Sequence, residues 1–368
     1  MSRFHDLDAL RATAMLLGVI FHASVFLTAA SDWPVHDAYV EATPVARNPY
    51  VYVVSVLHGF RMPLFFLISG FFTALLWQRR GLRQVAEHRL KRIALPLALG
   101  ALTIVPINAW LFSPADFNPM HWPLMWLHGL GHLWFLWYLL ILAAVFVAAA
   151  RLDAKFVHPA WALVIPLTFL PQALMREVWF FGPDISETLL PDPNILGYYL
   201  LFFVFGVFLH QRNIAMRRWW AIVLPVALVL VFPAGVLFML QAVQEGRGTW
   251  AWVATSALQA AYAWLMCFGM IGLFRWLAWR ERFWVRYVSD ASYWLYLWHL
   301  PLVIGGQRLL VGWDTNAHLK FVLLCTAVPA ILLLIYQGVV RYTWIGTMLN
   351  GKRVRRTKVP AIVQPSSS

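Results

Sequence analysis

Charged side chains are scarce in this sequence, and acidic ones are the scarcest. Only 12% of its 368 residues are charged, and 16 Asp and Glu stand against 29 Lys and Arg. Soluble domains carry roughly 25% charged residues, so a chain with half that share cannot cover a water-exposed surface in the usual way. Because 61% of the residues are hydrophobic, we expect an integral membrane protein whose main partner is the lipid bilayer.

Cysteine is almost absent as well. The two cysteines, Cys267 and Cys325, both lie in apolar runs, which argues against a disulfide framework and a cysteine metal site. The histidines show no HxxxH or HxH spacing of the kind found in zinc sites. A phosphate loop of the GxxxxGK[ST] type is also missing. We therefore predict no metal, no tightly bound cofactor and no nucleotide hydrolysis.

Long apolar runs, in contrast, are frequent. A helix that crosses a bilayer needs ~20 mostly apolar residues. Many of the 21 tryptophans lie near the ends of such runs, as expected for an aromatic belt. The chain contains ten candidate spans, and these are 9–30, 52–77, 93–113, 132–150, 159–175, 196–210, 219–243, 250–274, 290–307 and 320–343.

Positive charge alternates between the segments that connect these spans. If the N-terminus is cytoplasmic, 21 Lys and Arg lie in cytoplasmic segments and five on the opposite side. The other three, Arg11, Arg61 and Arg341, fall inside spans. This bias predicts an all-α bundle of about ten spans with both termini in the cytoplasm. It also explains the net charge of +13 without a nucleic-acid partner.

The predicted spans fill a single transmembrane domain, 1–350, which leaves no room for a sizeable extramembrane domain. A basic and then Pro/Ser-rich tail, 351–368, is predicted to be disordered and to lie near anionic headgroups in the cytoplasm. The N-terminus also resembles a signal peptide. Asp6 and Asp8 interrupt its start and His22 lies inside its apolar run, so we interpret it as the first span.

Ionisable residues inside spans are costly, which makes them candidates for a functional site. Arg11 and His22 are 11 positions apart in the first span, so they project to nearly the same face about 16 Å apart along the axis. His58 and Arg61 are one turn apart in the second span. The spans hold almost no acid to pair with Arg61, which indicates a bound anion or a polar cavity.

Structural roles remain open for each of these residues. Arg11 has the position of a snorkelling anchor, His22 could be a packing histidine, and Arg61 could bridge to backbone carbonyls. Two further histidines, His132 at the start of the fourth span and His299 in the ninth, are equally consistent with packing or function. Four histidines at spans or their edges are harder to explain by packing alone.

The strongly basic segment RRGLRQVAEHRLKR, 79–92, is predicted to be a cytoplasmic loop. Such a loop can set topology and attract anionic lipid. It can also bind a phosphate-rich cofactor, because Arg forks match phosphate geometry. Arg89 and Arg92, one turn apart, are the first candidates for this role, and Arg79 and Arg83 are the next.

Five segments that carry most of these candidates follow one another along the chain, and they are DLDALRATAMLLGVIFH, FRMPLFFLISGFF (60–72), RLKR (89–92), HLWFL (132–136) and ASYWLYLWHLPL (291–302). Together they resemble the acyltransferase-3 family of membrane-bound acyltransferases, in the family's order and spacing and over nearly the whole chain. FRMPLFFLISG and HLWFL are most similar to the branch that succinylates osmoregulated periplasmic glucans. HLWFLWYLL lacks the Glu of the O-acetyltransferase branches, and the last span offers Gln337 where some relatives have a glutamate in a late helix.

The resemblance implies a multi-pass enzyme of the bacterial inner membrane. It would transfer an acyl group, succinyl in preference to acetyl, from cytoplasmic acyl-CoA to hydroxyls of a periplasmic or envelope glycan. Arg11 would receive the donor or orient its thioester, and His22 would be the general base or a transient acyl carrier. The residues that would hold the CoA phosphates are Arg89, Arg92, Arg79 and Arg83.

The remaining candidates would serve the acyl group and the acceptor. Arg61 would hold the free carboxylate of a succinyl group or stabilise an oxyanion, and His58, His132 and His299 would line the half where sugar hydroxyls arrive. A transporter or flippase for an anionic metabolite or a lipid-linked sugar is the competing prediction, and a sensor or scaffold is a third. Thioester cleavage distinguishes the enzyme from both.

Overall fold

The computed structural model describes residues 5–30, 33–152, 156–175, 181–277 and 283–351. Within these ranges the chain forms helices and connecting segments and contains no strand. The all-α prediction is therefore confirmed for the described part of the chain. The predicted tail lies outside the described residues apart from Gly351.

The main helical segments follow the order of the predicted spans. Their bounds are α1 His5–Val25, α2 Pro49–Arg89, α3 Leu95–Phe112, α4 Trp134–Arg151, α5 Pro159–Leu174, α6 Pro193–Gln211, α7 Arg218–Glu245, α8 Trp250–Leu277, α9 Phe283–Leu310, α10 Ala317–Val340 and α11 Trp344–Asn350. Shorter helical turns precede α2 and α4, and they are Tyr39–Ala42, Val45–Arg47, Pro119–Leu127 and Gly131–Leu133.

Among the described residues, seven helical segments are long and apolar enough to cross a membrane. One of them, the 64-residue stretch Pro49–Phe112, contains both the second and the third predicted spans. Two predicted spans are not among these seven segments. The predicted fifth span corresponds to α5, which is shorter than each of the seven. The predicted ninth span lies in α9, which is long but rich in Tyr, Trp and polar residues. A polytopic helical membrane protein is confirmed, while the count of ten and the cytoplasmic termini stay predictions.

The basic segment 79–92 is helical, so its prediction as a loop was wrong. α2 continues through it to Arg89, with a kink at Gly81, and a π-helical turn, Leu90–Ala94, then leads directly into α3. The basic residues are good helix formers, and their charge hid this continuity because it interrupts the apolar pattern used to bound the spans. The arginines of this segment are thus presented from an ordered helix.

The helix α1 lies in the middle of the packing. It contacts α9 most extensively and also packs on α2, α8 and α10. α2 in turn packs along α6, where Gly70 meets the backbone of Phe203 and Gly206 meets the backbone of Leu67. Small residues at a crossing let two membrane helices approach closely. This contact fixes the part of α2 that faces α1.

A buried ion pair anchors the segment that follows α1. Lys320 Nζ of α10 lies 2.7 Å from Asp37 Oδ2, and each side chain is only 5% exposed. The backbone N–H of Asp37 also donates to the Phe26 carbonyl at 3.2 Å, and Asn48 Nδ2 donates to the Leu27 carbonyl at 2.6 Å. These contacts tie the segment 33–48 to the end of α1 and to α10.

Candidate active site

Three of the predicted histidines form a row between α1, α9 and the start of α4. The ring centroids of His22 and His299 are 5.2 Å apart, and those of His299 and His132 are 5.4 Å apart. We call His22, His299 and His132 the histidine row. In the described part of the chain, no group of three or more His, Cys, Asp or Glu side chains is arranged to hold a metal ion.

Backbone carbonyls orient two members of the row. His299 Nδ1 lies 2.7 Å from the Tyr296 carbonyl, so this nitrogen carries the proton and Nε2 is left as an acceptor. His132 Nε2 lies 3.2 Å from the Leu297 carbonyl, and its Nδ1 faces the Asn108 amide at 3.4 Å. The rings of His299 and His132 are therefore held in one orientation by these contacts. Such fixed rings are suited to orienting a bound substrate.

His22 differs because its Nδ1 is buried without a hydrogen-bond partner among the described residues. The Phe21 ring meets the imidazole edge-on at 4.9 Å, and the Trp33 indole stacks on it at 5.6 Å. An imidazole nitrogen without a partner, in an aromatic setting, is available to accept a proton from a substrate. The row thus offers two nitrogens that could accept a proton, Nδ1 of His22 and Nε2 of His299, and of these two rings only the His22 ring is not oriented by a backbone carbonyl through its Nδ1.

Arg61 reaches the same place from α2. Its guanidinium carbon lies 4.7 Å from the centroid of the Phe21 ring, and its Nη1 is buried without a hydrogen-bond partner. No acid forms an ion pair with it in the described part of the chain. A buried cation without a counter-ion is costly, so this position fits a site that binds an anion.

Gly18 makes the convergence of these groups possible. A Cβ atom at this position would lie 3.2 Å from Arg61 Nη1 and 3.7 Å from His299 Nε2. Gly18 precedes His22 by one helical turn on the same face of α1. Arg61 Nη1, His299 Nε2 and the His22 ring therefore border one space on α1. His58 is set apart from it, since its Nε2 lies 2.8 Å from the Pro183 carbonyl and its ring stacks on Phe21 at 5.9 Å.

A second cluster lies toward the other end of α1. The Arg11 guanidinium lies 5.8 Å from the Phe72 ring centroid, and Arg89 Nη2 donates to the hydroxyl of the next residue, Thr73. The structure thus brings Arg11 of α1 and Arg89 of α2 together at this end of α1, close enough for their charges to interact. The Nε of Arg89 is buried without a partner among the described residues. We call Arg11 and Arg89 the arginine pair.

The other predicted arginines lie elsewhere. Arg92 Nη1 donates to the Leu349 carbonyl of α11 at 2.6 Å. Part of the Arg92 guanidinium is therefore used in helix packing and is not free to bind a phosphate. Arg83 is 91% exposed and pairs with Glu87 at 3.0 Å. Arg79 is exposed near the start of the kinked segment. The structure therefore places Arg89 best for a ligand that reaches α1.

A sequence model of an acyltransferase domain, that of the acyltransferase-3 family, matches residues 4–337. The match runs from the start of α1 into α10 and so includes the histidine row, Arg61 and the arginine pair. The chain belongs to the acyltransferase-3 family. It is therefore a membrane-bound acyltransferase, as its resemblance to that family implied.

Curated relatives of this acyltransferase match along the whole chain. "Glucans biosynthesis protein C" of Escherichia coli strain SMS-3-5 / SECEC is 24% identical, with 98% of each chain covered. The proteins of the same name from Escherichia coli O139:H28 (strain E24377A / ETEC) and from strain K12 / DH10B are 23% identical over the same share. No solved structure matches the acyltransferase chain.

Some residues of the site in this acyltransferase were missed by the sequence analysis. Gln307 and Asn108 are polar residues inside apolar helices, and the cost of burying a polar group could have identified them. Trp33 gave no signal, because its contact with His22 depends on how the segment after α1 folds back. Tyr296, whose hydroxyl donates to the His132 carbonyl at 2.8 Å, looked like one of many aromatic residues.

Proposed function

We propose that this acyltransferase moves an acyl group, succinyl in preference to acetyl, from acyl-CoA to hydroxyl groups of a glycan of the cell envelope. The observation that carries the proposal is the pairing of His22, whose Nδ1 has no partner among the described residues, with Arg61, a buried cation without an acid. The first supplies a base for a hydroxyl, and the second supplies a counter-ion for a carboxylate or an oxyanion. The names of the curated relatives support a glucan as the acceptor. Osmoregulated periplasmic glucan is the candidate that the resemblance to the glucan-succinylating branch adds.

The chemistry of the transfer can be assigned to named atoms. His22 Nδ1 takes the proton of the acceptor hydroxyl as the oxygen attacks the thioester carbonyl. Arg61 Nη1 either binds the free carboxylate of the succinyl group or stabilises the oxyanion that forms on the carbonyl oxygen. The C–S bond then breaks, and the thiolate leaves with the proton from His22. In the alternative, His22 first accepts the acyl group itself and passes it to the hydroxyl.

The two clusters on α1 fit the shape of an acyl-CoA donor. CoA carries its phosphates at one end and its thioester at the end of an extended arm. The arginine pair and His22 lie toward opposite ends of α1, with Arg11 about 16 Å from His22 along the helix. We place the phosphates at the arginine pair, toward the cytoplasm, and the glycan at the His22 end. This arrangement would put the enzyme in the bacterial inner membrane.

Arg89 is expected to bind the donor more strongly than the exposed arginines. Replacing Arg89 with alanine should raise the KM for succinyl-CoA about tenfold or more, because a charge-assisted bond to phosphate is lost. Arg83→Ala is the matched control, since Arg83 lies on the same helix but is exposed and paired with Glu87. Initial rates across a donor titration measure the effect. An equal change in both variants would contradict a specific donor role for Arg89.

The proposed function is tested on the purified, folded wild-type protein in detergent or vesicles. Free thiol released from succinyl-CoA or acetyl-CoA is measured with and without a periplasmic glucan, and mass spectrometry detects the acylated glucan. We expect acceptor-dependent thiol release, with succinyl-CoA preferred and a mass increase on the glucan that corresponds to one succinyl group. No release with either donor would contradict the acyl-CoA mechanism. Faster release with acetyl-CoA would contradict only the succinyl preference.

The family match favours this proposal over the transporter or flippase considered from the sequence. A transporter would move its substrate without cleaving a thioester, so it would release no free thiol in this assay and would show flux in a separate uptake assay on sealed vesicles. A sensor or scaffold would show neither.

A further inference from the structure

Trp33 covers one face of the His22 imidazole. The two rings are stacked, with centroids 5.6 Å apart and planes inclined by 13°. Phe21 and His299 pack against the same imidazole. Trp33 follows the end of α1 in the chain and its ring also meets Phe112 edge-on at 5.7 Å. It is thus the one of these three neighbours that comes from a connecting segment and not from a main helix.

Gln307 of α9 links Trp33 to the His22 backbone. The indole Nε1 of Trp33 donates to Gln307 Oε1, and Gln307 Nε2 donates to the His22 carbonyl, both at 2.9 Å. The Gln307 side chain is fully buried. Both ends of the amide are therefore used, and its loss would leave the indole N–H and the His22 carbonyl without this partner. The position of Trp33 is coupled by this amide to the helix that carries His22.

The segment beyond Trp33 is anchored independently of Gln307. The buried ion pair between Asp37 and Lys320 holds it on α10. Trp33 thus lies between a fixed segment and a fixed amide, which limits how far the indole can move from His22. Because its contacts with Gln307 and Phe112 hold the Trp33 indole over His22, the indole can keep water away from the imidazole.

We propose that Trp33, positioned by Gln307, determines whether the acyl group goes to the acceptor hydroxyl or to water. The inference rests on the proposed transfer from a thioester. In transfer, the hydroxyl oxygen of the acceptor bonds to the carbonyl carbon, the C–S bond breaks, and the hydroxyl proton passes through His22 to the departing thiolate. In hydrolysis, a water oxygen takes the place of the hydroxyl oxygen. One water proton then passes to the thiolate and the other to solvent, so a free carboxylate and the thiol are released. Excluding water from the base suppresses this side reaction.

The ratio of acceptor-independent to acceptor-dependent thiol release tests the proposal. In Trp33→Ala and Gln307→Leu this ratio should rise about tenfold over wild type, because water reaches the base without the acceptor. Trp33→Phe keeps an aromatic cover but lacks the N–H, so a smaller rise is expected. Trp313→Ala, an exposed tryptophan after α9, is the matched control and should keep the wild-type ratio.

A second measurement needs no acyl donor. Diethyl pyrocarbonate modifies accessible histidines, and mass spectrometry of the His22 peptide follows its reaction in detergent-solubilised protein. We expect His22 to react several-fold faster in Trp33→Ala than in wild type or Trp313→Ala. Thermal unfolding shows which variants are folded. Trp33→Phe, which keeps an aromatic ring, should show a smaller increase in the rate of His22 modification.

The outcomes separate this inference from the proposed function. If the wild type cleaves no acyl-CoA, the proposed function fails, while the reactivity of His22 still reports whether Trp33 covers it. If the wild type is acceptor-dependent and the folded Trp33 variants keep both the wild-type ratio and the wild-type reactivity of His22, the inference is overturned. A uniform loss of thiol release with an unchanged ratio would likewise overturn it, since a structural role alone explains that result.

Discussion

Replacing His22 with glutamine is expected to lower acceptor-dependent thiol release by about 100-fold or more, the usual contribution of a general base. Glutamine keeps a polar side chain of similar length but cannot take a proton at neutral pH. The backbone carbonyl of His22 still accepts from Gln307, so α1 should keep its contact with α9. Initial rates with succinyl-CoA and a glucan, at matched amounts of folded protein, measure the loss.

The matched control for this substitution is His121→Ala. His121 is exposed in the turn before α4 and has no part in the histidine row. It should retain the wild-type rate. Wild-type activity in a folded His22→Gln variant would rule out His22 as both base and acyl carrier, and the site would then have to be sought among the other members of the row.

The same variant separates the two roles of His22. Wild type is mixed with radiolabelled succinyl-CoA without acceptor and quenched under conditions that preserve acyl-imidazole. If His22 carries the acyl group, label remains on the wild-type protein and is absent from His22→Gln. If His22 acts only as a base, neither protein is labelled, although the rate difference with acceptor persists.

Much of this site could be predicted because the lipid environment makes polar residues conspicuous. The cost of placing ionisable residues in apolar spans identified His22, Arg61, His132 and His299. The structure brings these side chains, from four different elements, together near the His22 end of α1. The 11-position separation of Arg11 and His22 gives their distance along one helix, so their positions toward opposite ends of α1 were predictable as well. The roles of these residues remain proposals that the experiments above test.

Other features depend on contacts that no local pattern contains. Trp33 and Gln307 are 274 positions apart in the chain, yet they share a hydrogen bond beside His22. Arg89 and Arg83 lie in one basic run, and only their directions on the helix separate a buried arginine from an exposed one. Charge in the run 79–92 hid a continuous helix, because a pattern of apolar residues cannot extend through it.

Arg61 is expected to decide which acyl group is accepted. Its charge is buried beside Phe21 and meets no acid in the described part of the chain, so a succinyl carboxylate would supply the missing counter-ion. Removing one partner of a buried charged pair typically costs 2–5 kcal/mol. Arg61→Gln should therefore lower kcat/KM for succinyl-CoA about 30-fold or more, with a much smaller effect on acetyl-CoA, which has no free carboxylate.

The comparison of the two donors distinguishes the two proposed roles of Arg61. If Arg61 stabilises the oxyanion, both donors form the same charge on the carbonyl oxygen, and both should slow by about 100-fold or more. Because Arg61 has no acid to leave unpaired, its neutral replacement should not unfold the protein. Arg47→Gln, an exposed arginine in the segment before α2, serves as the matched control. Unchanged kinetics with both donors in a folded Arg61→Gln variant would remove Arg61 from the site and would leave its buried charge as a feature of helix packing alone.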